Sequence, residues 1–236
     1  MARGLVVFDK DGVLMDFHRR WAAITHARAE ALADFVDPEV MTALLGLTAD
    51  DRVLPGGLLA GASRQESMVA AAVAVHQTGL PWHEAIGHAR MAFDQADFDV
   101  DFDQSSQPLP GVVETVRTLH AAGWVLAIAT TDQTDDAWKF LHHAGLAECF
   151  RTVIGADRVT VGKPDPGMFI LACEKAGIAP ADAVMVGDLD IDLMMGRAAG
   201  ARLMVGVLSG VGDTELLRPH ADLLMEDIQD LVGALA

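Results

Sequence analysis

The chain has 236 residues, of which 51% are hydrophobic, with a formal net charge of -17 and a pI near 4.7. That is enough chain for a sizeable core, and the acidic balance excludes a protein that grips a nucleic-acid backbone, which wants basic patches. No apolar run approaches the roughly 18 residues of a membrane span, Asp9 interrupts the first apolar run too early for a secretory leader, and Cys149 and Cys173 lack ligand-like spacing, so they read as free thiols of a reducing, cytoplasmic interior.

In chain order, "LVVF" (5–8) predicts a first strand, too short for a helix and followed at once by Asp9, Lys10 and Asp11. Residues 16–107 then read as helical. Residues 17–36 predict one helix, Ser63-Arg64-Gln65-Glu66 is a capping-box pattern ahead of a second, and Pro81 suits the first turn of another through residues 82–93. "DFDVDFDQSSQPLP" (97–110) carries the chain back. Its alternating Asp97, Asp99, Asp101 and Asp103 read as a solvated linker or edge strand rather than a metal site. From there strands and helices alternate. The strands are "WVLAIA" (124–129), "RTVI" (151–154), "AVMV" (183–186) and "RLMVGV" (202–207); the helices are 111–122, 134–144, 166–177, 190–199 and 214–219. Continuous apolar runs of this kind fit strands buried on both faces. The expected fold is therefore α/β: a Rossmann-like parallel sheet core with helices on both faces (1–15 and 108–236), plus an inserted α-helical cap domain (16–107).

In open α/β sheets ligands bind beyond the carboxyl ends of the strands. Asp9 and Asp11 follow the first run, Thr130 and Thr131 the second, Gly162-Lys163-Pro164 the loop after the third, and Asp188, Asp190 and Asp192 the fourth. Carboxylates gathered at one sheet edge repel unless a cation holds them, and all-oxygen donors suit Mg²⁺. A phosphate accounts for the rest: a hydroxyl and backbone amides hold its oxygens, and the Lys163 ammonium neutralises it. Without that anion, Lys163 is expected to pair with a carboxylate.

"DKDGVL", "ATTD", "GKPDP" and "GDLDID" resemble, in order, the four motifs of the haloacid dehalogenase superfamily. "PDPGMF", "GRAAG" and the helical insertion are similar to its phosphoglycolate-phosphatase-like and β-phosphoglucomutase-like branch. The resemblance implies that Asp9 is the nucleophile that becomes an aspartyl-phosphate, and that Asp11 is the acid and then the base. It implies that Thr130 and Lys163 hold phosphoryl oxygens, and that Asp9, Asp188 and the Asp11 backbone carbonyl bind Mg²⁺. Asp192 matches a position that supports the metal waters or Lys163. Thr131 stands where many relatives have Asn, and its backbone amide is placed to touch phosphate. Leu189 replaces a usual small hydroxyl residue, removing one hydrogen bond but no essential ligand.

The remaining residues carry less. Asp132 reads as a cap of the following helix. In the cap, Trp21, Arg52 and His76 are weak candidates for substrate contact. His18, Arg19 and Arg20 are stronger ones because they follow the first motif so closely. The expectation is a Mg²⁺-dependent phosphatase acting on a small phosphorylated metabolite, phosphoglycolate-like or a sugar phosphate, as a monomer or homodimer. A phosphomutase is the nearest rival. A 2-haloacid dehalogenase would leave Asp11 superfluous, and a silent Mg²⁺-binding module would have no use for Thr130 and Lys163. A phosphonate hydrolase would need a cap lysine, and residues 16–107 contain none. A response-regulator receiver has no large helical insertion after its first strand. Nucleic-acid and membrane partners are not expected.

Overall fold

The computed structural model of the chain describes residues 3–100 and 105–236. The chain divides into two compact units, one formed by Met1–Asp16 with Gln107–Ala236, the other by Phe17–Ser106.

The first unit is built on six parallel strands: β1 (Leu5–Phe8), β2 (Val125–Ala129), β3 (Phe150–Ile154), β4 (Ala183–Gly187), β5 (Leu203–Val207) and β6 (Leu223–Met225). Their order is β3-β2-β1-β4-β5-β6. β1 is thus central, with Phe8 in register with both Ile128 and Val186. All four β1 residues are buried, which explains the absence of polar alternation in "LVVF". Side chains alternate across a strand. Leu5, Val7, Ala127, Ala129 and Met185 form one core with Met168, Phe169, Leu193 and Met195 from the helices Gly167–Ala176 and Asp190–Ala199. Val6, Phe8, Leu126 and Ile128 are equally buried on the opposite face. β6 is the one strand that the apolar runs do not announce. It has three residues, none of them fully buried, at the sheet edge.

The two segments that leave and re-enter this unit are joined: Asp16 N–H donates to Gln107 O (3.0 Å) and Leu109 N–H to Leu14 O (3.0 Å).

Within the second unit the described helices are α1 (Phe17–Glu30), α2 (Pro38–Leu45), α3 (Leu58–Gly61), α4 (Arg64–Gln77) and α5 (Trp82–Asp99). The expected 17–36 helix stops at Glu30 and continues as tight turns, with Leu32 N–H bonded to Ala29 O and Phe35 N–H to Leu32 O. Ser63 and Glu66 cap α4 reciprocally. Small residues let α4 and α5 pack closely: Ala71, Ala72 and Val75 share a core with Ala85, Ala89 and Phe93.

The linker or edge-strand reading of 97–110 is corrected at its start, because α5 runs through Asp99. The cause is a buried cation. Arg28 lies over the Phe93 ring (4.1 Å) and donates to Asp97 Oδ1 (2.9 Å), while Arg64 Nε donates to Asp97 Oδ2 (2.7 Å). Arg28 needs a carboxylate on the helix to offset its burial. Asp101 and Asp103 lie outside the described residues.

Candidate active site

β1 ends where Asp9 N–H donates to Val186 O of β4 (2.8 Å). This last rung holds the Asp9 carboxylate at the carboxyl edge of the sheet, beside the point where strand order reverses. On β4, Gly187 is followed by Asp188. A side chain at Gly187 would overlap the Asp192 carboxyl group, so only glycine lets the helix Asp190–Ala199 start this close.

Oxygens of Asp9, Asp188 and Asp192, all buried, lie within 4.8 Å of one another. Lys163 Nζ sits between two of these acids, donating to Asp9 Oδ1 and to Asp192 Oδ1, each at 2.6 Å. The other Asp192 oxygen accepts the Leu189 N–H at the start of its helix (3.1 Å). Asp188 Oδ2 accepts the Val211 N–H (2.9 Å). Among the described residues, then, three carboxylates face one ammonium. The balance is two negative charges, which one divalent cation would cancel.

The electrostatics agree with that deficit. Burial pushes the Asp9 carboxyl up to about 6, against the pull of Lys163. Burial, and then the Asp9 and Asp192 charges, push Asp188 well above the ordinary carboxylate range. Lys163 is held above the usual lysine value by Asp192 and Asp9 despite its burial. These are the marks of carboxylates short of positive charge.

Asp11 is placed differently. Its carboxylate is not part of the trio; Oδ1 accepts from Lys10 Nζ at 2.9 Å. Burial raises its pKa to about 6 against the pull of Lys10, with Asp132 and Asp9 adding to the rise. The two acids of "DKD" therefore have separate counter-ions, Lys163 for Asp9 and Lys10 for Asp11. Thr130, at the end of β2, is fully buried, and its Oγ1 accepts the Asp132 N–H (3.2 Å). Thr131 beside it is exposed.

Asp132 does not cap the following helix, as expected from the sequence. Gln133 occupies the N-cap position without a side-chain bond, and Asp132 Oδ2 instead pairs with Lys10 at 2.9 Å. A buried ammonium outbids a helix end for a carboxylate.

The cap candidates belong to the helical unit. His18 Nδ1 accepts the Val53 N–H (3.0 Å) and its Nε2 lies 3.3 Å from Arg52. Arg20 donates to Ser106 Oγ (2.6 Å), and Arg19 is exposed.

Sequence reasoning missed the loop after β5. Ser209 donates to Gly12 O (2.7 Å), and Gly210–Gly212 wrap Asp188. A Cβ on Gly210 would overlap the Asp188 carboxylate; one on Gly12 would lie 2.5 Å from its Oδ2. Gly12 also has φ +75°, a conformation that other residues adopt only with strain. The signal is "SGVG" (209–212), one residue past the fifth apolar run. Gly12→Ala is expected to cost about 1–3 kcal/mol, lowering Tm by several degrees in thermal unfolding; an unchanged Tm would mean that the turn tolerates a side chain.

A family model for haloacid dehalogenase-like hydrolases matches residues 4–200. "Probable phosphatase IndB" of Dickeya dadantii is 33% identical over 235 residues, covering 98% of this chain and 92% of that protein. The phosphoglycolate phosphatase of Escherichia coli is 29% identical over 235 residues, covering 98% and 91%. The crystal structure of a "predicted phosphoglycolate phosphatase" from Haemophilus somnus superposes with a TM-score of 0.72 at 23% identity over the full length of both chains, which is a likeness of fold. Among the described residues, no helix is long and apolar enough to cross a membrane.

Proposed function

Because this chain belongs to the haloacid dehalogenase-like hydrolase family, we propose that it is a Mg²⁺-dependent phosphatase that releases phosphate from a small phosphorylated metabolite through an aspartyl-phosphate on Asp9. The observation that carries this reading is the buried trio of Asp9, Asp188 and Asp192 with one lysine between them. A divalent ion fits because the donors are oxygens and the charge deficit is two. Asp9 and Asp188, with the Asp11 backbone carbonyl, would hold it, and Asp192 would steady Lys163. Bound there, Mg²⁺ would draw charge from the phosphoryl oxygens.

The protein groups divide the work. A carboxylate oxygen of Asp9 attacks phosphorus, and the P–O ester bond breaks. Its electron pair leaves with the ester oxygen, which takes a proton from Asp11. Asp11, now a carboxylate, takes a proton from water, whose oxygen attacks the phosphorus. The P–O bond to Asp9 breaks, releasing phosphate and restoring the Asp9 carboxylate. Two moderate barriers replace one of the highest known for an uncatalysed reaction. Lys163 and Thr130 hold the phosphoryl oxygens. The raised pKa of Asp11 suits the alternation between acid and base.

A phosphoglycolate-like acid or a sugar phosphate is the substrate class; the phosphoglycolate phosphatase of Escherichia coli among the relatives supports the first. The test is phosphate release from a panel of such esters and from p-nitrophenyl phosphate, with Mg²⁺ and with chelator. The expected result is turnover abolished by chelation and restored by Mg²⁺. No release from any ester would overturn the reading. Conversion of a hexose 1-phosphate to its 6-phosphate would make the protein a phosphomutase.

A further inference from the structure

Lys10 lies between the two acids of the first motif, and the mechanism above gives it no task. Its environment is specific nonetheless. The residue is 2% exposed, and its ammonium donates to Asp11 Oδ1 (2.9 Å) and pairs with Asp132 Oδ2 (2.9 Å). The Met15 sulfur lies 3.7 Å away and the Phe140 ring centroid 5.8 Å. Burying an ammonium is costly unless it is paired and hydrogen-bonded. A long alkyl stem with a charged tip is a poor way to fill a core, so the pairing is the reason for the residue.

The two partners come from different strand ends. Asp11 follows β1. Asp132 lies in the loop after β2, where its N–H donates to Thr130 Oγ1 (3.2 Å) and its carbonyl accepts the Ala156 N–H (2.8 Å). Asp132 is therefore fixed through its backbone and gives Lys10 a stationary anchor. Lys10 in turn occupies Asp11 Oδ1, which leaves Oδ2 as the oxygen available to carry the mobile proton.

We propose that Lys10, anchored by Asp132, is a positioning residue that fixes the Asp11 carboxyl so that Oδ2 meets the ester oxygen. The inference rests on the phosphatase reading. It places Lys10 in the step where the P–O ester bond breaks and the proton of Asp11 passes to the departing oxygen. The alternative is a purely structural ion triad holding the two loops together.

Leaving-group dependence separates these roles. An alkoxide needs the proton as it leaves, whereas p-nitrophenolate leaves without one. For Lys10→Met, kcat/KM for an alkyl phosphate that the wild type turns over is expected to fall roughly 10- to 100-fold, a fraction of what general acid catalysis supplies. With p-nitrophenyl phosphate the loss should stay within about threefold on the same scale. Lys10→Arg should recover part of the alkyl-ester rate, and Asp132→Asn should show the same selectivity more weakly. The two milder variants keep the comparison available where Lys10→Met fails to fold. Equal losses on both esters, or no loss on the alkyl ester, would overturn the positioning role. Wild-type protein inactive on every ester would instead overturn the phosphatase reading, and this inference with it.

Discussion

Asp9→Asn is expected to lower kcat by about 10⁴-fold or more, equivalent to roughly 5 kcal/mol of lost transition-state stabilisation. The carboxamide has nearly the same shape, and the rung from residue 9 to Val186 O is made by the backbone, so β1 keeps its place. Lys163 keeps Asp192 as a partner. What disappears is the anionic oxygen that attacks phosphorus. Among the described residues, no neighbouring carboxylate is placed to take over: Asp192 is engaged by Lys163 and the Leu189 N–H, Asp188 is held by Val211, and Asp11 is held by Lys10. Steady-state assays on the best ester and on p-nitrophenyl phosphate, with circular dichroism as a control for folding, read the effect. Activity within tenfold of wild type would remove Asp9 from the nucleophile's role.

Asp188→Asn is expected to weaken Mg²⁺ binding at least about 100-fold and to reduce turnover accordingly, since losing a direct ligand costs more than losing a supporting one. The charge at the trio falls from two negative to one, while the Val211 N–H retains an acceptor. The pH dependence gives this prediction a second handle. Burial raises the Asp9 pKa to about 6 and that of Asp188 well above the usual range. Both lie above the value of about 3.9 for a free Asp, so in the metal-free protein these groups hold protons at pH values where the unfolded chain has released them. Mg²⁺ must displace those protons, so its affinity rises as pH increases through 6. The Tm gain from saturating Mg²⁺ should accordingly be larger at pH 7.5 than at pH 5. Asp188→Asn should flatten both trends. Calorimetric titration at the two pH values measures them. Affinity unaltered by the substitution would exclude Asp188 as a ligand.

Much of this architecture was legible because a doubly covered parallel sheet writes itself plainly. Its strands are unbroken apolar runs, and whatever follows each run lies at one edge. That logic alone locates Asp9, Thr130 and Asp188 at strand ends. It stopped short at β6, where three half-exposed edge residues produce no such run. Helix α2 carries its signals at its ends: Asp37 caps it, Pro38 opens it, and Gly46 closes it with φ +100°. Neighbouring methionines show another limit. Apolar composition alone does not tell Met194 from Met195, but at 100° per residue one helix step separates them, leaving Met195 buried and Met194 38% exposed.

Side-chain partnership was the least legible layer. Nothing in "DKDGVL" says that Lys10 turns to Asp11 and Asp132 while Asp9 takes Lys163 from a motif 154 residues away. Such choices depend on which buried charges meet across the sheet edge, and a linear pattern does not encode them. The tight packing of Gly12 and Gly210 around Asp188 is of the same kind. Glycines in a strand-end loop announce a turn; only the fold shows which carboxylate they make room for.

The most direct measurement is to quench the enzyme in acid during turnover, reduce the acyl phosphate with borohydride, and sequence the peptides by mass spectrometry. Reduction of an aspartyl-phosphate converts that aspartate to homoserine. Homoserine at position 9, dependent on substrate and Mg²⁺ and absent from Asp9→Asn, is the result expected. Its appearance at another acid, or its absence at every acid while phosphate is being released, would contradict covalent catalysis by Asp9.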